Sequence, residues 1–453
     1  MKIPHSLPPL LREMQALRSM GFYSLVAQAL IVGAGTGLVI GLFRWLYTHI
    51  NAFIVHSLSL HNLYSLPWIC GLFATLTLLA LISGWIVTKE PLLRGSGIPQ
   101  VELTVRGHLP LPWLRLLLGK FVGTLLCLSG GLSVGREGPS IQMGAAVGCG
   151  VGSLWFGKES VLPRFLIAGS AAGMTAAFGA PCAGLLFAFE EMKTVLTVPL
   201  LLFTACAAGA AFMVIHLLFG FGLVYPFAHL APLAWQQYPL LLVWAAIVGF
   251  IGAGYNGALM GGLFFWDKQK LFSSRTRPLV PFICSGLLLY AYPQVLVGFG
   301  VPIENLEQGM LVLGSLLLLL VVKILFSILS FSSGVSGGLL MPMLSIGAMA
   351  GACASALALP FGLIQADQLG TVLTLSMGAL FAATVRAPLT GGMLVLEMTG
   401  AWSTAPAMLV AVYTATFVAN HLHSAPIYDS IKVRLLKRTR LARHTEKKRT
   451  IIK

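Results

Sequence analysis

The chain has 453 residues, 57% hydrophobic and only 9% charged, with a mean hydropathy of +0.87. A soluble domain carries about 25% charged residues, so a water-soluble globule is excluded. Net charge is +15, but ten of the 29 Lys and Arg lie between Lys432 and Lys453; this fits a basic tail at a cytoplasmic membrane face better than a nucleic-acid partner.

Residues 1–21 carry Lys2, Arg12 and Arg18, and Leu10, Leu11, Met14 and Leu17 share one helical face, which predicts a cytoplasmic interfacial helix. The first apolar stretch, Phe22 to about Trp45, is longer than a signal-peptide core and lacks a small-residue cleavage site. It reads as a retained span. Apolar stretches recur to Tyr413, with room for roughly 15 to 18 helical segments. Leu311 to Val322 and Trp68 to Val87 are apolar on every side, which excludes the alternation of a β-barrel.

The expected fold is therefore an all-α, multi-pass protein of the inner membrane, its backbone groups satisfied within helices and its partner the lipid bilayer. The hydrophilic stretch Asp267 to Arg277 is also basic, so it and both termini are expected in the cytoplasm. This divides the chain into residues 1–21, a transport domain of 22–430 and a basic tail of 431–453. Seven cysteines, Cys70, Cys127, Cys149, Cys182, Cys206, Cys284 and Cys353, are scattered in apolar or Gly-rich surroundings without a CxxC pair. They read as packing residues, and no metal or other cofactor is implied.

The transport domain is duplicated. Gly131, Ser133, Gly135, Pro139, Gly144 and Ala145 recur as Gly334, Ser336, Gly338, Pro342, Gly347 and Ala348, all at an offset of 203. Ala180-Pro181, Gly184 and Glu190 recur as Ala387-Pro388, Gly391 and Glu397, at an offset of 207. Repeats of this length in an apolar chain mark secondary transporters. The halves are placed at about 22–265 and 278–430 and are expected to be inverted.

Two carboxylates break the repeat: Glu137 faces Leu340 in the alignment, and Glu191 faces Met398. A carboxylate at membrane depth costs roughly 2.5 to 3.5 kcal/mol on insertion scales. An apolar residue fits each position in the other half, so Glu137 and Glu191 are candidates for function. Glu190 and Glu397 occur in both halves, which favours a shared structural role such as a helix-end hydrogen bond or subunit contact.

Three segments place glycine ahead of a Pro that opens an apolar helix: Gly95-Ser96-Gly97-Ile98-Pro99, Gly135-Arg136-Glu137-Gly138-Pro139 and Gly338-Leu339-Leu340-Met341-Pro342. Proline in the first turn forfeits only an orphan donor. Glycine lets free N–H groups approach a ligand, and the helix dipole there favours an anion. Converging ends of this kind would bind a small anion without a basic side chain.

These three motifs, with Tyr428 in Pro426-Ile427-Tyr428, resemble in order and spacing the signature segments of the CLC chloride/proton exchangers, over about residues 20 to 435. The resemblance implies that the hydroxyls of Ser96 and Tyr428 and the amides of Leu339 and Leu340 coordinate chloride. Glu137 would be the external gate and Glu191 the internal proton-transfer acid, an acid that channel-type members usually lack. A homodimer with one pathway per subunit is also implied. Ser96 favours chloride over the nitrate-preferring pattern and separates the chain from the fluoride-exporting branch. Leu340 and Met341 depart from the family's usual GxFxP, which leaves backbone coordination intact and bears on the constriction and rate. Only a basic stretch follows Tyr428, so the nucleotide-sensing CBS pair of many eukaryotic members is not expected.

Other polar residues have plainer readings. Lys120 either adds positive potential near the anion path or snorkels to the interface. Glu102 and Arg106, spaced i, i+4, can pair on one helix face, and Arg136 organises the loop or attracts anions. His216 reads as a packed neutral histidine. Gly334-Val-Ser336-Gly337 has the form used by intramembrane serine proteases, but Gly131-Leu-Ser133 repeats much of it, which makes it architectural. A passive chloride channel is the remaining rival.

Overall fold

The computed structural model describes residues 21–60, 64–156, 163–194, 197–227, 230–291 and 312–438. The predicted interfacial helix, except for Gly21, and the tail beyond residue 438 lie outside the described residues.

The described chain is helical throughout. The helices are α1 Phe22–Leu60, α2 Leu66–Lys89, α3 Ile98–Val105, α4 Trp113–Ser129, α5 Glu137–Phe156, α6 Pro163–Phe178, α7 Pro181–Glu190 and α8 Val198–Phe219. They continue as α9 Tyr238–Lys268, α10 Leu279–Ala291, α11 Leu313–Ser332, α12 Leu340–Ala358, α13 Leu369–Val385, α14 Pro388–Thr399 and α15 Ala405–His421. A last helix, α16, covers 427–438. Among the described residues, eight helices (α1, α2, α8, α9, α11, α12, α13 and α15) are long and apolar enough to cross a membrane.

Every residue of α6 and of its repeat counterpart α13 is buried. Helices apolar on all sides belong at the centre. Large apolar side chains on α1, α2 and α8, such as Leu38, Leu78 and Leu217, point outward and form a surface suited to lipid. Close approach between helices comes from small residues: a methyl on Gly144 of α5 would stand 2.1 Å from the Gly169 carbonyl oxygen of α6, and the reverse distance is also 2.1 Å.

The halves are related by a local two-fold axis. Gly135 and Gly338, equivalent at the offset of 203, pair with each other in an antiparallel bridge. Each amide donates to the other's carbonyl at 2.7 Å. Equivalent helices α7 and α14 also exchange equivalent contacts. Glu190, ending α7, accepts from the amides of Leu389 and Thr390 at the start of α14, at 3.2 and 2.7 Å. Glu397 of α14 accepts from the amides of Cys182 and Ala183 at the start of α7, at 3.0 and 2.8 Å. Start meets end in both directions, so the two helices run antiparallel and the repeat is inverted. The helix-end role expected for Glu190 and Glu397 is the one observed, and each carboxylate also sits where the partner's dipole favours it.

One boundary needs correction. Helix α9 packs on α13 and α15 as α1 packs on α6 and α8. It is therefore the counterpart of α1, and the second half begins near Tyr238 instead of at 278. The apolar pattern of α9 continues that of α8, so composition could not locate the division; the neighbours of α9 do.

Candidate functional site

The three glycine motifs open helices as predicted: α3 follows Gly97, α5 begins at Glu137 and α12 begins at Leu340. Left-handed glycines make the approach. Gly95 and Gly97 have φ of +67° and +93°, and the equivalent Gly131 and Gly334, which terminate α4 and α11, have +72° and +87°.

The fold brings the motifs together by their backbones. The Gly95 amide donates to Val335 at 2.9 Å, and Gly337 donates back to Gly95 at 3.1 Å. With the Gly135–Gly338 pair, this joins the first motif to the third and the third to the second. Gly138 and Gly338 have no room for a side chain at the junction: a methyl on Gly138 would stand 2.8 Å from the Ser96 Cβ, and one on Gly338 would stand 3.0 Å from the Gly138 amide nitrogen. Pro99, Pro139 and Pro342 lie in the first turns of the three helices and are buried.

Ser96, Leu339, Leu340 and Tyr428 are all buried, at 2%, 0%, 1% and 1% exposure. The amides of Leu339 and Leu340 stand at a helix start, where no intrahelical acceptor exists. The Tyr428 hydroxyl is buried without a hydrogen-bond partner among the described residues. A buried hydroxyl without a partner is uncommon and calls for a ligand or water.

Glu137 is fully buried. Arg136 Nε lies 3.7 Å away. Amides of Glu137, Met341 and Arg136 face the carboxylate without completing a hydrogen bond. Gly135 makes its room, since a methyl there would stand 2.3 Å from Oε2. Glu191 caps α7, is 6% exposed and donates its amide to Phe187 at 3.1 Å. Tyr428 lies within electrostatic range of both acids.

A network missed in the sequence holds Tyr428 and Ser96 in register. Lys432 on α16 bonds Glu102 on α3 and Asp429, both at 2.7 Å. Lys193 bonds Asp429 at 2.7 Å, and Arg106 pairs with Glu102 at 2.9 Å as expected. Glu102 and Lys432 are 330 positions apart, a separation that no local pattern reveals.

Lys120 neither snorkels nor reaches outward: its buried Nζ donates to the carbonyls of Leu93 and Gly95, at 3.0 and 2.6 Å, bracing the first motif. A repeat signal could have marked it, because Lys323 recurs at the same offset of 203 and is also buried. The same offset carries Gly95, Gly97 and Pro99 to Gly298, Gly300 and Pro302, outside the described residues. His216 packs against Phe212 and Phe221, with Nδ1 2.9 Å from the Gly220 carbonyl. The Ser336 hydroxyl meets Thr124 at 3.0 Å instead of a base.

The sequence matches the family described as voltage gated chloride channel over residues 78–420. It is 33% identical over 450 residues to the H(+)/Cl(-) exchange transporter ClcA of Vibrio cholerae serotype O1, covering 92% of this chain and 91% of that protein. The ClcA exchanger of Cronobacter sakazakii is 32% identical over 439 residues, with 92% of each covered. Among solved structures, a slow cyanobacterial Cl-/H+ antiporter superposes with a TM-score of 0.83 at 25% identity, covering 91% of this chain and 98% of that one.

Proposed function

Because the chain belongs to the voltage gated chloride channel family, we propose that it is a secondary active transporter that exchanges chloride for protons. Its relatives carry that activity in their names. The observation that carries the reading in this chain is the pair Glu137 and Glu191: both are buried, both are absent from the repeat, and both lie within electrostatic range of Tyr428.

In this reading chloride is held by the hydroxyls of Ser96 and Tyr428 and the amides of Leu339 and Leu340. Helix-start amides stabilise an anion through fixed dipoles without binding it as tightly as a lysine would, which suits a site that must release its ion. The Glu137 carboxylate is an anion at the same junction, so it competes with chloride while ionised and yields when protonated. Glu191 passes protons to and from the opposite side. The protein functions as a homodimer in the inner membrane, with both termini cytoplasmic; the basic stretch Asp267 to Arg277 and the tail after Ile431 support that orientation.

The test is proton uptake driven by an imposed chloride gradient in liposomes reconstituted with the full chain. Wild type should move protons against their gradient. Chloride flux without proton movement would make the protein a passive channel and overturn the proposal. Glu137→Gln should keep chloride flux and lose coupling, and Glu191→Gln should keep chloride flux with proton movement reduced or lost.

A further inference from the structure

A cavity of 360 Å³ opens where the link between α2 and α3 meets α9, α11 and α16, and its wall carries Arg94, Arg277, Arg434 and Arg438 against one carboxylate, Asp267. Arg434 and Arg438 both pair with Asp267. Arg94 Nε lies 3.3 Å from the Val87 carbonyl. Arg277 Nε lies 3.5 Å from the Phe272 carbonyl, with the Trp266 ring 6.0 Å away. Neither pairs with a carboxylate among the described residues. Among the described residues lining the cavity, four guanidiniums against one carboxylate leave three positive charges in excess, and Arg94 is within electrostatic range of the other three.

Such clustering is costly, and its chemistry is specific. Chloride would neutralise one charge and offers a guanidinium fork a single acceptor atom. A phosphate group offers several charged oxygens that match the fork two at a time. The volume falls in the range of small-molecule sites, about 300 to 1,000 Å³. Backbone atoms of Gly95 and Gly334 also line the cavity, beside the first and third motifs, so an occupant would stand in the route to Ser96 from this side.

We propose that this arginine-lined cavity binds a multivalent phosphate-bearing anion, which blocks chloride entry from the side carrying α16. The blocking half rests on the transport reading above; the binding half does not.

Pyrophosphate is the probe. In calorimetric titration of the purified full chain in uncharged detergent, wild type should bind it. Arg94→Gln and Arg277→Gln should each weaken binding about tenfold, the loss of one charge-assisted contact, and the exposed Arg115→Gln should bind as wild type does. In vesicles of neutral lipid, pyrophosphate on the α16 side should slow chloride flux in wild type and not in the two cavity variants. A second arm replaces soluble pyrophosphate with vesicles containing phosphoinositide. Slowing in that arm alone, relieved by Arg94→Gln, would identify the phosphate as a lipid headgroup. Absence of pyrophosphate binding together with unchanged flux in both arms overturns the proposal, and binding that leaves flux unchanged overturns the block. A wild type that moves no chloride would refute the transport reading and leave the titration to decide the site.

Discussion

At the scale of single residues, the repeat separates what the fold needs from what the site needs. Gly138 is an example of the second. Its missing side chain admits Ser96, and a methyl 2.8 Å from the Ser96 Cβ must push that hydroxyl away. Gly138→Ala is expected to lower chloride affinity, read by titration calorimetry, with a packing cost of about 1 to 3 kcal/mol. Arg386 is a test of competing magnitudes. It has a φ of +69°, while its repeat counterpart is Gly179 at +65°. The left-handed conformation costs a non-glycine residue about 1 to 2 kcal/mol, yet Arg386 donates to Asn420 Oδ1 at 2.7 Å and to the Ser424 carbonyl at 2.8 Å. Charge-assisted bonds contribute about 1.5 to 3 kcal/mol each, so the contacts outweigh the strain. Thermal melts should rank wild type above Arg386→Gly, and Arg386→Gly above Arg386→Ala; a glycine variant more stable than wild type would refute the balance.

Among elements, the controlling feature is how short helices begin and end. Helices α7 and α14 are short, and each has its first amides satisfied by the other's glutamate. Glu397→Gln keeps the shape and removes the charge, and should destabilise the protein by about 1 to 2 kcal/mol. Glu190→Gln should cost slightly more, because Glu190 also accepts from the Thr390 hydroxyl at 2.7 Å. The melting temperature of each variant in one detergent checks both values. These helix starts were legible because Pro and Gly punctuate the sequence at fixed offsets. The partner of each start was not, since 214 or 200 positions separate Ala183 from Glu397 and Thr390 from Glu190.

For the whole molecule, the proposed site depends on the convergence of segments remote in sequence. Ser96 comes from the link before α3 and Tyr428 from α16, and the Lys432–Glu102 bond fastens the two. Glu102 is almost wholly buried. Lys432→Met leaves that carboxylate with Arg106 at 2.9 Å, so the cost should fall below the about 3 to 5 kcal/mol of leaving a buried charge uncompensated. Loss of stability together with weaker chloride binding is expected, measured by thermal melt and calorimetry; unchanged binding would show that Tyr428 is placed by other contacts. The sequence by itself determined the membrane environment, the helical class, the duplication and the two acids that break it, because composition, periodicity and a fixed repeat offset are local or self-referential properties of the chain. Only the tertiary structure decided that the halves are inverted, that the second begins at α9, that Lys120 braces the first motif and that Lys432 joins Glu102. Each of these depends on which helices become neighbours, and packing in three dimensions sets that adjacency.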